Sequence, residues 1–162
     1  LAPFRSRWER PSADPQPLPY LEGEAHRRSG GLDIRLEVQI ETERMRAAGV
    51  PPQPLSHTSI SHHFWSIAQI VTHHAAGGCN LQPGDLLRSG TISGPTPAEA
   101  GALMELSRAG RTPMRLRNGE ERGFLEDGDA VIFRGWCERD GFTRIGFGLN
   151  RGQVLPALTD EA

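Results

Sequence analysis

Lysine is absent from this sequence, and all 18 basic side chains are arginine. They are spread between Arg5 and Arg151 among 20 acidic residues, and the formal net charge is -2. A nucleic-acid-binding protein normally carries a basic face and a positive total charge. The charge balance therefore predicts that nucleic acid is not a partner of this chain.

Cysteine is also scarce, because Cys79 and Cys137 are the only two. Two widely separated cysteines are too few for a disulfide scaffold, and each lies in sequence that suits a small buried side chain. We predict that both are reduced core thiols of a cytoplasmic protein. Long apolar runs are missing as well. None approaches the roughly 18 residues needed to span a bilayer, so we expect no membrane association.

The composition that remains is typical of a globular domain. The chain has 162 residues, of which 36% are hydrophobic and 19 are glycine. A chain of this length buries about 70% of its unfolded surface, so residues 1–162 are predicted to form one domain. The sequence starts at Leu1 and its first methionine is Met45. We expect a fragment of a longer polypeptide, in preference to a chain that has lost a secretory signal.

The N-terminal 31 residues are rich in proline, arginine, glycine and glutamate. Pro15, Pro17 and Pro19 alternate immediately before Tyr20. Proline fixes its own backbone angle and disfavours helix at the preceding residue. Residues 1–31 are therefore predicted to be an extended, polyproline-like arm that lies on a surface outside the core.

Apolar and polar residues alternate strictly over residues 32–41. This period of two predicts an antiparallel strand with one wet face. The carboxylates of Asp33, Glu37 and Glu41 point away from the apolar side, so we predict solvated edge charges and not metal ligands. The apolar positions are Leu32, Ile34, Leu36, Val38 and Ile40.

A polar connector over residues 43–60, with three prolines, is predicted to lead into a helix of about fifteen residues. The helix should begin at Ser59 or Ser61 and end at Gly77-Gly78, where one glycine adopts the left-handed cap. Apolar residues at helical spacing would form its core stripe. These are Phe64, Ala68, Val71 and Ala75, supported by Trp65 and Ile67.

Two pairs of adjacent histidines lie near the two ends of this predicted helix, His62-His63 and His73-His74. Neighbouring residues point to different faces, so neither pair could chelate one metal ion as an i, i+4 pair would. For His73 and His74 we predict a favourable interaction with the negative end of the helix.

The rest of the chain is predicted to form short strands joined by tight turns. Residues 81–87 and 125–131 share a Gly-Asp turn that should launch an apolar strand in each case. Residues 96–99 have the sequence of a capped helical turn. Further strands are predicted at 103–107, 112–116, 130–137 and 143–148, with a turn at Ala109-Gly110. The predicted fold is α+β, rich in mostly antiparallel strands and with one main helix.

Residues 72–95, THHAAGGCNLQPGDLLRSGTISGP, resemble the corresponding stretch of the fumarylacetoacetase family. Thr-Ile-Ser-Gly-Pro at 91–95 followed by Glu-Leu-Ser at 105–107 is the specific part of the match, because the wider superfamily shares the Pro-Gly-Asp turn. Further pieces agree in order and spacing. They lie at 17–21, 104–107, 124–129, 144–148 and 154–158. The chain thus resembles the C-terminal portion of a fumarylacetoacetase-like catalytic domain.

The resemblance implies mixed, mostly antiparallel sheets, a homodimer and a divalent metal ion, Mg²⁺ or Ca²⁺. It also implies cleavage of fumarylacetoacetate to fumarate and acetoacetate, which belongs to tyrosine and phenylalanine catabolism. By the same match, Thr91 contacts the substrate and Glu105 supports the catalytic histidine and its water. The family's metal ligands, histidine and oxyanion donors match no residue here, so we expect an incomplete and inactive site. Arg108 replaces a residue that is usually aromatic in the family.

The residues alone leave other interpretations open. Without the resemblance, Glu105 would be an exposed strand carboxylate and Thr91 a strand-packing residue with small neighbours. Cleaving a β-diketone requires a metal, a base and oxyanion donors. A carboxylate such as Glu105 would orient the histidine base. The alternatives are a superfamily decarboxylase or hydratase acting on a 2-oxo acid, or a truncated product without a catalytic role.

Overall fold

The computed structural model describes residues 1–9 and 16–158. Pro15, part of the predicted arm, lies outside these ranges. The helices are α1 (Glu24–Ser29), α2 (Glu43–Ala47), α3 (Ile67–Ala76) and α4 (Leu103–Leu106). The strands are β1 (Arg5–Ser6), β2 (Gly31–Leu32), β3 (Arg35–Glu41), β4 (Gln53–Ser59), β5 (Met114–Arg115), β6 (Glu121–Arg122), β7 (Ala130–Cys137) and β8 (Ile145–Gln153).

The main sheet has four antiparallel strands in the order β4-β3-β7-β8. Two further pairs, β1 with β2 and β5 with β6, are also antiparallel. The predicted α+β class with mostly antiparallel sheets is therefore confirmed. So are the predicted bounds of β7. The last strand, predicted at residues 143–148, instead runs from Ile145 to Gln153.

The strand predicted over residues 32–41 is present as β3, but it starts at Arg35, and of its apolar positions Ile40 is buried while Leu36 and Val38 are half-buried. The prediction of solvated edge charges is wrong for Glu37 and Glu41, because β3 lies inside the sheet between β4 and β7. The Glu41 carboxylate accepts a hydrogen bond from Arg151 at 2.7 Å, and that of Glu37 accepts one from Gln39 at 2.6 Å. Strand β8 thus supplies the partner of Glu41, which a single-strand pattern does not reveal, whereas the hydrogen-bond partner of Glu37 lies on β3 itself.

The predicted connector over residues 43–60 is wrong, because it contains α2 and strand β4. Thr42 caps α2 by accepting a hydrogen bond from the backbone N–H of Met45 at 3.1 Å. Pro54 lies within β4, opposite Gln39, where the register shifts. Because β4 is at the edge of the main sheet, a proline there removes no donor that a neighbouring strand needs.

Helix α3 has ten residues and starts later than predicted. Ser66 and Gln69 form a capping box at its N-terminus, whereas Ser59 caps a separate short 3-10 turn. The predicted core stripe is wrong, since Ala68 and Ala75 are exposed and Gln69 is the buried residue of this helix. The predicted C-terminal end is confirmed, because Gly78 has a φ of 87°.

The described N-terminal residues, 1–9 and 16–31, include short helices and buried side chains, which contradicts the predicted extended arm outside the core. Phe4 is buried against Ile34 and Cys137, and the buried Leu21 ends the 3-10 turn Pro19–Leu21. Helix α1 follows that turn. Apolar residues such as Phe4 override the local preference for an extended chain because their burial is favourable.

The two cysteines differ. Cys137 is fully buried, as predicted, and this burial raises the pKa of its thiol. Cys79 is exposed, which contradicts its predicted place in the core. No helix among residues 1–9 and 16–158 has the length and apolar character needed to cross a membrane.

The predicted Gly-Asp turns are both present, but only one launches a strand. The turn at 125–129 leads into β7, whereas residues 86–90 form no strand after the turn at 82–85. The capped turn at 96–99 is confirmed as a 3-10 turn. The predicted strand at 103–107 is wrong, since helix α4 occupies it, and the strand at 112–116 is reduced to β5.

Candidate functional site

Thr91 lies on a segment without regular secondary structure, so its predicted place in a strand is wrong. Its side chain is exposed. No hydrogen bond to its hydroxyl is present within the described part of the chain. The Thr91 hydroxyl is therefore available to an external partner.

Glu105 lies on the single turn of α4 and not on the strand that was predicted for it. The residue is exposed. One carboxylate oxygen, Oε2, accepts a hydrogen bond from the hydroxyl of Ser93 at 2.7 Å. Among the residues that the structure describes, Ser93 is the side chain that contacts this carboxylate, so Oε1 remains available.

Gly101 joins the segment of Thr91 to the helix of Glu105. Its backbone N–H donates to the Ser93 hydroxyl at 3.0 Å. A Cβ atom at Gly101 would lie 2.4 Å from the Ile92 carbonyl oxygen and 2.8 Å from Cγ2 of Thr91. The loop of residues 91–105, called the 91–105 loop below, thus brings both predicted site residues onto one compact unit.

Glu99 links the 91–105 loop to His62 and also binds Thr96 within the loop. Its carboxylate accepts hydrogen bonds from the Thr96 hydroxyl at 2.7 Å and the Thr96 N–H at 3.1 Å. The other oxygen contacts His62 Nε2 at 3.2 Å. The hydrogen bond from the Thr96 side chain, together with the nearby His62, holds the pKa of Glu99 below its usual value.

His63 supports the chain just before Thr91. Its ring nitrogens face the carbonyl oxygens of Trp65, at 2.5 Å, and Ser89, at 3.0 Å. The adjacent histidines His62 and His63 therefore have separate structural partners.

The turn that follows Glu105 has an unusual backbone. Arg108 and Ala109 have φ values of 53° and 57°, in the left-handed region that residues with a Cβ avoid. The buried hydroxyl of Ser107 accepts from the N–H of Gly110 at 3.0 Å and donates to the Gly123 carbonyl at 2.8 Å. These bonds hold the strained turn in place, and Arg108 is exposed on it.

A metal site was tested by its possible ligands. Within residues 1–9 and 16–158, no group of three or more His, Cys, Asp or Glu side chains is arranged to hold a metal ion. The described residues therefore do not fit the Mg²⁺ or Ca²⁺ that the resemblance implies.

A cavity beside helix α3 lies outside the 91–105 loop. It has a volume of about 340 Å³, and its walls include Leu18, Trp65, Ile70 and His73. The Tyr20 hydroxyl lies 2.9 Å from Nδ1 of His73, which is in the last turn of α3 as predicted. Neither Thr91 nor Glu105 lines this cavity, so it is not the site that the sequence predicts.

The sequence did not indicate that two further residues hold the 91–105 loop together. Ser93 and Gly101 connect Thr91 to Glu105, but their importance depends on the loop folding back on itself. The only sequence signal was the run of small residues around Thr91, which indicates close backbone approach.

Comparison with known proteins gives a consistent result. Residues 20–154 match the family model described as fumarylacetoacetate (FAA) hydrolase C-terminal. The chain is 47% identical to the human fumarylacetoacetase over 148 residues, which are 91% of this chain and 33% of that protein. The Arabidopsis thaliana fumarylacetoacetase is 43% identical over 157 residues, 97% of this chain and 35% of that protein.

A more distant relative agrees. The fumarylacetoacetase of Dictyostelium discoideum is 39% identical over 159 residues, which are 97% of this chain and 35% of that protein. The chain therefore spans about a third of the length of the curated relatives it matches. Together with the motif at 91–95 and Glu105, these matches confirm the resemblance: the chain belongs to the fumarylacetoacetate hydrolase family and corresponds to its C-terminal part.

Proposed function

We propose that this chain forms one side of the active site of a carbon–carbon hydrolase that cleaves a β-diketone acid. The substrate we propose is fumarylacetoacetate, with fumarate and acetoacetate as products, as in tyrosine and phenylalanine catabolism. The proposal is supported by the names of relatives at 39–47% identity. The observation that carries it is the 91–105 loop, which places Thr91 and Glu105 on one unit with free polar atoms.

Glu105 is proposed to orient the histidine that acts as the base. Ser93 holds one carboxylate oxygen, and the other is available to accept from an imidazole N–H. A carboxylate in this position fixes the ring's tautomer and stabilises the imidazolium that forms when the base takes a proton from water. The histidine itself is proposed to come from outside this chain, since His62 and His63 already have other partners.

Thr91 is proposed to contact the substrate through its hydroxyl. The close approach of Gly101 lies on the side of the methyl group, Cγ2. The hydroxyl can donate to a carbonyl or carboxylate oxygen of the substrate. Because this contact is made to both the bound substrate and the transition state, its loss should raise KM more than it lowers kcat.

The remaining parts of the site are proposed to lie in residues that these 162 do not include. They are the ligands of a divalent cation, Mg²⁺ or Ca²⁺, the histidine base and the oxyanion donors. A homodimer located in the cytoplasm is proposed on the same family grounds. It follows that the isolated chain should not hydrolyse fumarylacetoacetate when Mg²⁺ is added. Measurable turnover by the isolated chain would contradict this division of the site.

The role of Glu105 is tested in the full-length product of the gene that encodes these residues. Glu105→Gln should lower kcat for fumarylacetoacetate hydrolysis by about 100-fold or more, because a poorly oriented base transfers protons slowly. Thr91→Val should raise KM by roughly 5- to 10-fold, which is the effect of one neutral hydrogen bond. Both constants are measured by steady-state kinetics.

The matched control is Glu121→Gln, which changes an exposed carboxylate on β6 and should leave both constants unchanged. If Glu105→Gln hydrolysed the diketone as fast as the wild type, a decarboxylase or hydratase acting on a 2-oxo acid would become the better assignment.

A further inference from the structure

The hydroxyl of Ser93 makes two hydrogen bonds with opposite roles. It accepts from the backbone N–H of Gly101 at 3.0 Å and donates to Oε2 of Glu105 at 2.7 Å. A serine hydroxyl has one proton, and the bond from Gly101 occupies a lone pair. The proton is therefore directed at the carboxylate, in a bond that the negative charge strengthens.

The Ser93 hydroxyl is fixed from both sides of the loop. The N–H of Gly94, the next residue, donates to the carbonyl of Glu99 at 3.0 Å and anchors the backbone beside Ser93. Gly101 packs so tightly against the Ile92 carbonyl that there is no room for a Cβ atom. The donor and acceptor positions around Ser93 are thus set by backbone, which moves less than long side chains.

Glu105 needs such support because its own helix gives little. Helix α4 is a single turn of four residues, and Ala102, the residue that precedes it, provides no side-chain cap. Isolated helical turns of this length are not stable in water. An exposed glutamate on this turn would sample several rotamers if no group held its carboxylate.

We propose that Ser93 is a positioning residue, whose hydroxyl clamps Glu105 to the segment that carries Thr91. The proposal rests on the proposed function, in which Glu105 orients the histidine base. Ser93 does not touch the substrate in this account. It fixes the direction in which the free oxygen of Glu105 points, and so it sets the distance between the orienting carboxylate and the substrate contact.

The test uses Ser93→Ala in the full-length gene product, alone and combined with Glu105→Ala. Ser93→Ala should lower kcat by roughly 10- to 100-fold, the range for a hydrogen bond to a charged group, with KM changed by less than about 3-fold. In the Glu105→Ala background the same substitution should have no further effect on kcat, because the group through which Ser93 acts is gone.

Conservative variants separate positioning from folding. Ser93→Thr keeps the hydroxyl and should restore kcat to within a few-fold of the wild type. Ser93→Cys keeps the size but has a weaker donor, so its kcat should fall between those of the serine and alanine proteins. Ser29→Ala, which removes an exposed hydroxyl bonded to the Ala25 carbonyl on α1, is the matched control and should leave kcat unchanged.

Two results would overturn the role of Ser93 without touching the proposed function. One is a kcat of Ser93→Ala or Ser93→Cys equal to that of the wild type while Glu105→Ala is impaired. The other is a full additional loss of kcat when Ser93→Ala is combined with Glu105→Ala. If Glu105→Ala itself retained the wild-type kcat, the proposed function would fail first.

Discussion

The turns that end at Asp85 and Asp129 share the same local hydrogen bonds but lead into different structures. In the first, Oδ2 of Asp85 accepts from the backbone N–H of Gln82 at 2.7 Å. In the second, Oδ2 of Asp129 accepts from the N–H of Glu126 at 2.9 Å. In both, the aspartate N–H also donates to the carbonyl three residues earlier. The local sequence around each Gly-Asp pair is therefore enough to specify this turn.

The surroundings of the two aspartates are opposite. Asp129 is 1% exposed, and Arg122 binds both of its oxygens, at 2.8 and 3.1 Å. The chain then enters β7, which pairs with β3 and β8. After Asp85 comes Leu86, which is 82% exposed and belongs to no described strand. A turn can therefore form locally, but the strand after it requires neighbouring strands to pair with.

The largest expected difference between the two turns is in the free energy of unfolding that is lost when the aspartate of each is replaced. Asp129→Ala leaves the guanidinium of Arg122 without its bidentate partner, so the free energy of unfolding should fall by about 3–5 kcal/mol. Asp85→Ala removes a bond in an exposed turn and should cost no more than about 0.5 kcal/mol. Urea unfolding of the two variants measures both values. If the two variants lost the same free energy of unfolding, burial would not explain a difference between the turns.

A smaller effect on the free energy of unfolding is expected at low pH, and it comes from the hydrogen-bonded network around Arg122. Burial pushes the pKa of Glu120 up, but hydrogen bonds from Thr42, Asn118 and Arg122 outweigh it, and the net pKa is lowered. A carboxyl with a lowered folded-state pKa stabilises the protein above its unfolded-state pKa of about 4.3. That stability is lost as the pH falls through the folded-state pKa.

The check is the free energy of unfolding measured from pH 6 down to about pH 3. Glu120→Gln should flatten the acid decline, whereas Glu121→Gln on the exposed neighbour should leave it in place. An unchanged slope in Glu120→Gln would mean that the network does not carry the acid sensitivity.

The smallest expected difference concerns the glycines of the two turns. Gly84 and Gly128 have φ values of 101° and 85°, so alanine at either position should cost about 1 kcal/mol in strain. At Gly128 the new Cβ would also lie 3.0 Å from a carboxylate oxygen of Glu43, while Gly84 faces open space. Gly128→Ala should therefore be slightly the more destabilising in thermal unfolding. A milder effect at Gly128 than at Gly84 would contradict the packing difference.

The fold was predictable where the hydrophobic pattern of a segment is enough to identify its secondary structure. The alternation in β3 and the apolar run of β7 both gave strands, because side chains alternate across a sheet. Strand β4 was missed since Pro51, Pro52 and Pro54 mark a connector by local preference, and only its edge position makes a proline tolerable there. The start of α3 was missed because the capping box of Ser66 and Gln69 was overlooked.

The geometry of the candidate site was not predictable from the sequence. The resemblance selected Thr91 and Glu105, yet both were expected on strands, and Glu105 lies on a helical turn. Ser93 gave no signal of its own, because its two hydrogen bonds reach Gly101 and Glu105, eight and twelve residues further along the chain. Contacts of that kind follow from the folded loop and not from a sequence period.

The most direct test of the account is a crystal structure of the full-length gene product with an unreactive β-diketone acid bound. We predict that the Thr91 hydroxyl contacts the ligand and that Glu105 reaches a histidine beside the same ligand, with Ser93 still bonded to its carboxylate. A ligand bound away from the 91–105 loop, or Thr91 and Glu105 facing separate cavities, would contradict the claim that they serve one site.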